Sequence, residues 1–172
     1  MTELVLPDVR FRESWAEAMA EFPEGTMHGS GLWEFEEGMD TTEDGCREVV
    51  ARLATFADHT VELAENRVHS TYYWITDGDD FVGFLALRHA LTPWLLEEGG
   101  HIGFSVRPSR RRQGHARRAL ALALTEAKGL GLDRVLLTCD EDNDGSRLTI
   151  EGNGGVYEDS RKGKRRYWID IG

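Results

Sequence analysis

Arg111-Arg112-Gln113-Gly114-His115-Ala116 brings cationic side chains and small residues together within six positions, the ingredients of an anion site. A strand-like run, His101 to Val106, precedes it, and an apolar helical run, Ala119 to Ala127, follows. A strand feeding a helix through Arg-x-x-Gly-x-Ala exposes first-turn N–H groups that have no intrahelical partners. The positive end of the helix dipole lies at the same place. Small residues at 114 and 116 let a diphosphate come close to the backbone. The pattern is weak as a string; its place between a strand and a helix gives it weight.

A second string points elsewhere. Asp140-x-Asp142-x-Asp144-Gly145, followed by Glu151, satisfies the calcium-loop pattern. An EF-hand needs an entering helix, whereas Gly131 to Cys139 is short, glycine-headed and strand-like, and the eighth loop position is Arg147. The cluster therefore reads as a strand-to-helix loop, with calcium binding kept as an alternative and no metal site expected.

The elements that must position these groups follow from periodicity. Leu4 to Leu6 is a short strand stopped by Pro7. Phe11 to Phe22 has helical spacing and ends at Pro23. Glu24 to Asp40 has no steady period and reads as a long, function-bearing loop with His28, Trp33 and Phe35. Thr42 caps a helix through Phe56 that could continue to Leu63. Ser70 to Thr76 and Phe81 to Leu87 form a hairpin around Asp77-Gly78-Asp79-Asp80. After the connector Leu91 to Gly99 come the strand His101 to Val106, the arginine loop, and a helix to Lys128 closed by Gly129 and Gly131. A strand, Arg134 to Cys139, a short helix from Asn143 or Asp144, and a closing pair, Val156 to Glu158 with Arg166 to Ile171, complete the chain. The order β-α-α-β-β-β-α-β-α-β-β predicts an α/β fold, residues 1–172 as one domain, with a mixed, mostly antiparallel central sheet and helices on both faces.

At 172 residues the chain can bury roughly 70% of its unfolded surface. No charged-then-apolar segment opens it, so a cytoplasmic location is the expectation. Cys46 and Cys139 have no Cys-x-x-Cys neighbour and read as idle thiols. Net charge is −11, unevenly spread: Arg107 to Arg118 holds six arginines and Arg161 to Arg166 five basic residues, neither with an acid. With those set aside, the rest of the chain carries −22. Such a body disfavours nucleic acid and anionic membranes, and suggests a cationic small partner. The second basic cluster reads as a solvated turn.

The element order, with the anion loop after the fourth strand, resembles the GCN5-related N-acetyltransferase (GNAT) superfamily over almost the whole chain. His101 to Pro108 looks like the family's fourth strand, and Arg111 to Ala116 like its diphosphate loop. Asn143-x-x-Ser146 falls where the family has an Asn-x-x-Ala/Ser contact. Leu87-Arg88-His89, Gly99 to Gly103, Asn153-Gly154-Gly155 and Arg166 to Ile169 are similar to a poorly characterised branch of predicted acetyltransferases. The resemblance implies acetyl-CoA as co-substrate and a small-molecule or peptide amine as acceptor, with a homodimer common among such proteins. It assigns cofactor contacts to Phe104, Ser105, Val106, Arg111, Arg112, Gln113, Gly114, His115, Ala116, Asn143 and Ser146. Arg117 and Arg118 divide between phosphate contact and exposed face. The tyrosine that often protonates the departing thiolate is replaced by Ile150, leaving Tyr157 as the nearby substitute. Base candidates are His101 and Glu98 foremost, then Glu97, His89 and Asp140; Trp33, Trp94 and Tyr73 are candidates to line an acceptor pocket. A non-catalytic acyl-CoA sensor on the same fold is the rival reading.

Overall fold

The structure is a computed structural model that describes residues 1–35 and 38–172. Glu36 and Glu37, inside the stretch read as a long loop, lie outside the described residues. The chain runs β1 (Thr2–Val5), α1 (Arg12–Glu21), α2 (Glu43–Thr55), β2 (Ser70–Asp77), β3 (Asp80–Arg88), β4 (Ile102–Val106), α3 (His115–Gly129), β5 (Arg134–Asp140), α4 (Asp144–Gly152), β6 (Val156–Arg161) and β7 (Lys164–Asp170). This is the order that the periodicity predicts. Short 3₁₀ turns cover Val9–Phe11, Trp33–Phe35 and Pro108–Arg110, and a π-turn covers Leu95–Gly99.

The sheet is parted. Strands β1-β2-β3-β4 form one antiparallel sheet and β5-β7-β6 another, with no ladder between β4 and β5. The two halves are tied at the root of β4. There the His101 N–H donates to Leu136 O (2.7 Å), and the Leu136 N–H donates to His101 Nδ1 (2.9 Å). Beyond that knot the strands form a seam, and the seam sets up the site.

Strand β3 is buried from Phe81 through Leu87, because helices cover both faces. On one face α3 lays Ala119, Leu120, Ala123 and Ala127 over Ile75, Leu85, Leu87, Val135 and Leu137. On the other, α1 and α2 pack Trp15, Ala18, Val49 and Leu53 on Trp74, Phe84 and Ala86. The alanines recur every fourth residue, so one smooth helix face meets the sheet closely. Ile75 pairs with Gly83 and Thr76 with Phe81, which leaves Val82 as an extra, bulged residue. The bulge shifts the alternation by one, so that Phe81 joins the core under α1 and α2 and Val82 the core under α3. Gly78 takes the positive φ (62°) at the first of the two residues in the β2–β3 turn, as a type II′ hairpin requires.

Helix α2 stops at Thr55 and does not reach Leu63. The Asp58 carboxylate accepts the Thr60 N–H (2.9 Å) and hydroxyl (2.6 Å), a local turn that competes with the helical ladder. The cluster Arg161 to Arg166 turns at the exposed Lys162 and Gly163, as a solvated turn does, but its far end is buried. Arg166 is 1% exposed, its Nε donating to Leu96 O (2.8 Å) and its Nη1 to Asp159 (2.6 Å) and Glu158. Lys162 pairs with Glu97 (2.9 Å) and Lys164 with Asp140. The hairpin β6–β7 is thereby clamped to the π-turn that introduces β4.

Candidate active site

Helix α3 begins without a cap. Gly114 is its N-cap residue in left-handed conformation (φ 86°), supplies no side chain, and leaves the first turn with no acidic residue. The loop before it also needs a left-handed residue at Arg112 (φ 62°). Arg117 and Arg118 sit at the positive end of the dipole, the opposite of the stabilising arrangement. A bound anion would compensate both defects.

That helix start opens on a groove of about 540 Å³ whose other wall is β4. The groove gathers ten of the eleven cofactor candidates: Phe104, Ser105, Val106, Arg111, Arg112, Gly114, His115, Ala116, Asn143 and Ser146. Gln113 is not part of the lining; its side chain accepts from Arg110 Nε (3.3 Å). No acidic side chain lines the groove among the described residues. Asn143 caps α4, its side-chain oxygen accepting the Ser146 N–H (3.1 Å).

The six arginines of the island divide by partner. Arg107 is buried against Glu21, whose carboxyl is pushed down to about 2, first by the hydrogen bonds from Arg107. Arg110 pairs with Asp77 (2.8 Å) and Asp80 (3.2 Å). Arg111 donates Nε to Val106 O (2.9 Å), and Arg117 reaches Gly152 O (3.5 Å). Arg111, Arg112, Arg117 and Arg118 form no ion pair with a described residue. His115 contacts the Thr2 hydroxyl through Nδ1 (2.9 Å), while its buried Nε2 has no partner among the described residues.

On the seam, the β4 register fixes which amides are free. Arg88 N–H bonds to His101 O, and Arg107 N–H to Val82 O, so the odd-numbered residues of β4 face β3. The N–H groups of Phe104 and Val106 therefore point away from β3, toward the edge that β5 leaves unpaired. Two donors face the groove side by side. The loop from Thr26 to Leu32 crosses here: Ser105 donates its hydroxyl to His28 O (2.7 Å). Gly29 (φ 79°) lies so close that a Cβ would come within 2.3 Å of Gly103 O and 3.1 Å of Phe104 N. His28 itself lines the groove, an exposed imidazole that the sequence places on a function-bearing loop without fixing its role.

The catalytic candidates do not assemble at this groove. His101 is 5% exposed and knots β4 to β5. Burial first, and Arg88 second, hold its imidazole down to about 4. The folded state therefore binds this proton less readily than the unfolded chain, and stability is lost as pH falls from about 6.5 toward 4. Replacing His101 by Gln keeps an acceptor for Leu136 but removes the titration. Urea unfolding midpoints of H101Q should vary less than wild type across that window.

Glu98 sits on the π-turn, its carbonyl accepting from the Thr138 hydroxyl (2.7 Å). Tyr157 is 46% exposed on β6 and hydrogen-bonded to Ser160 (2.9 Å). Glu97 and Asp140 are engaged by Lys162 and Lys164, and His89 by Thr71 (2.8 Å) and His59 (2.8 Å). Ile150 is core. Of the calcium-string carboxylates, Asp144 and Glu151 both pair with Arg147 (3.5 and 3.1 Å), while Asp140 holds Lys164.

A second cavity, about 270 Å³, lies across the Gly29 loop from the groove. Trp33 and Trp94 line it; Tyr73 does not, and Tyr72 does. The strand alternation turns Tyr73 to the α3 core instead.

The sequence profile described as the Acetyltransferase (GNAT) family matches residues 35–151. No curated protein matches the chain in sequence. Among solved structures the chain is similar to RimL, a ribosomal L7/L12 alpha-N-protein acetyltransferase in complex with coenzyme A. The likeness has 17% identity and a TM-score of 0.67, covering 99% of this chain and 94% of that one. It is also similar to Mycobacterium smegmatis RimJ in complex with CoA-disulfide (20% identity, TM-score 0.69, 98% and 81% covered). MccE, the microcin C7 self immunity acetyltransferase in complex with acetyl-CoA and AMP, matches at 13% identity and TM-score 0.67, with 98% and 92% covered. At these identities the structural likeness speaks for the fold.

Proposed function

Because the chain belongs to the GNAT family of acetyl-CoA-dependent acetyltransferases, we propose that it moves acetyl from acetyl-CoA to a primary amine by direct attack on the thioester. One observation carries the reading: the uncapped, acid-free start of α3 and the unpaired edge of β4 face the same groove. In this reading Arg111 and Arg112 give charge-assisted bonds to the diphosphate, over the N–H groups of Ala116 and Arg117. A neutral His115 whose Nδ1 accepts from Thr2 carries its proton on Nε2, a further donor. Asn143 and Ser146 close the far wall.

The Phe104 and Val106 N–H groups bind the pantetheine arm and the thioester oxygen. There they stabilise the oxyanion that forms when the amine adds to the carbonyl carbon. The C–N bond forms, the C–S bond breaks, and the adduct nitrogen gives its second proton to water as the coenzyme A thiolate departs, with no tyrosine to protonate it. The ammonium proton leaves beforehand to water or to His28, the exposed imidazole at the groove. Much of the acceleration comes from holding amine and thioester together. Two free, buried cysteines support a reducing, cytoplasmic setting.

The test is thermal unfolding with and without acetyl-CoA, followed by thiol release with amines. Saturation to 100 times the dissociation constant should add about 2.7 kcal/mol. For a chain of this size the melting temperature then rises by roughly 5–10 °C. Binding without thiol release from any amine would favour the sensor; no shift would sink both readings.

A further inference from the structure

The charge of the second cavity is opposite to that of the body of the chain. It is lined by Arg67 and Arg88 and, among the described residues, by no acidic side chain. Arg67 stacks over Trp33 (4.4 Å to the ring centroid), on the outer rim. Arg88 lies inside, where burial pushes its pKa down, and no carboxylate of a described residue is within ion-pair distance. Its Nη1 donates to Gly99 O (3.0 Å) and Gly100 O (3.2 Å), which fixes the fork. Nη2 has no hydrogen-bond partner among the described residues and faces Gly103, 3.4 Å from where a Cβ there would stand. A desolvated guanidinium with a free donor beside a cavity is an incomplete ion pair.

Its position relative to the seam decides what completes it. Gly103 is bonded to Phe104, whose N–H faces the groove. Gly29 lies over that peptide, so the cavity and the groove are separated by one layer of backbone. A carboxylate on Arg88 would carry its amine one carbon away, on the side of the cavity that Gly29 and Gly103 share with the groove. The remaining wall is aromatic: Trp33 packs on Phe56 (5.2 Å between centroids) and Tyr72 (6.5 Å). The volume, about 270 Å³, is at the small end of ligand pockets.

We infer that this cavity is the acceptor site and that Arg88 selects a free amino acid with an apolar or aromatic side chain, gripping the carboxylate beside its amine. The inference rests on the acetyltransferase reading above and replaces the cationic acceptor suggested by net charge with a zwitterionic, carboxylate-bearing one.

The experiment compares L-phenylalanine and L-leucine with their carboxamides and with spermidine, at saturating acetyl-CoA. Thiol release gives kcat/KM, and calorimetry on the coenzyme A-loaded protein gives acceptor binding. The free acids should exceed the amides by roughly ten-fold or more, the effect of leaving a buried charge-assisted bond unmade. Arg88→Met should collapse that ratio toward one while the acetyl-CoA dissociation constant stays unchanged. Arg88→Lys, which keeps the charge without the fork, should retain part of it. Equal handling of acids and amides by the wild-type protein, preference for spermidine, or no response to either free acid would overturn the inference with acetyl-CoA binding intact. The wild-type comparison stands even if the Met variant unfolds. Absence of acetyl-CoA binding would instead bring down the acetyltransferase reading, and this one with it.

Discussion

Ala116→Glu is expected to abolish acetyl-CoA binding while leaving the unliganded protein at least as stable as wild type. Residue 116 is the second of α3, half-buried and on the groove wall. A carboxylate there occupies the position proposed for the diphosphate and repels it. Like charges brought together at an interface cost several kcal/mol. With about 1.4 kcal/mol per decade of affinity, a loss of 100-fold or more follows. The same carboxylate complements the dipole of a helix that has no acid in its first turn, worth about 0.3–1 kcal/mol. Calorimetry with acetyl-CoA and urea unfolding of the free protein read the two effects separately. The opposite signs matter, because a variant that merely damages the fold loses both. Retained binding would move the diphosphate away from α3.

Arg166→Met is expected to be the most destabilising of the substitutions considered. The guanidinium is all but sealed from solvent and links three stretches: β7, which carries it, the Glu158–Asp159 pair on β6, and Leu96 in the turn before β4. Methionine fills similar volume but orphans the Leu96 carbonyl and leaves two adjacent carboxylates uncompensated. Those carboxylates are themselves half-exposed, so the cost falls on the orphaned carbonyl, about 1–3 kcal/mol. For a chain of this size the melting temperature would drop by roughly 2–12 °C. A loss below about 1 kcal/mol would place Arg166 among ordinary surface pairs. Since the anchored turn also presents Gly99 and Gly100 to Arg88, the variant should weaken acceptor handling more than acetyl-CoA binding.

The contrast between Arg166 and the α3 loop explains what was legible in the sequence. Element order follows from local cues: the helical spacing before Pro23, the Thr42 cap, the Gly78 turn, and the glycines after α3. The anion loop is legible for the same reason, since its parts lie within six residues. Arg166 stands in a string that looks like a solvated turn, and its burial depends on a carbonyl 70 positions away. The arginine island likewise looks uniform until Glu21, Asp77 and Asp80 claim two of its members from distant strands and helices. His101 and Tyr157 attract attention as residue types, yet one is a structural knot and the other an exposed strand residue. The acceptor cavity was only partly legible. Trp33 and Trp94 could be guessed, but Arg88 ends a strand with nothing nearby in sequence to show what it lacks.

The seam between β4 and β5 has a consequence for how the molecule holds together. A continuous sheet passes load and protection from strand to strand through its ladder; here that continuity ends at His101 and Leu136. Past this point no ladder continues, and the β5-β7-β6 half is held by the core it shares with α3 and by the Thr138, Lys162 and Arg166 ties to the π-turn. Packing can slip where a ladder would have to break. In the proposed reading, a thioester arm bonded to the open edge of β4 would serve as a short surrogate strand there. Bound substrate would then also be a splint joining the two halves of the sheet across the seam.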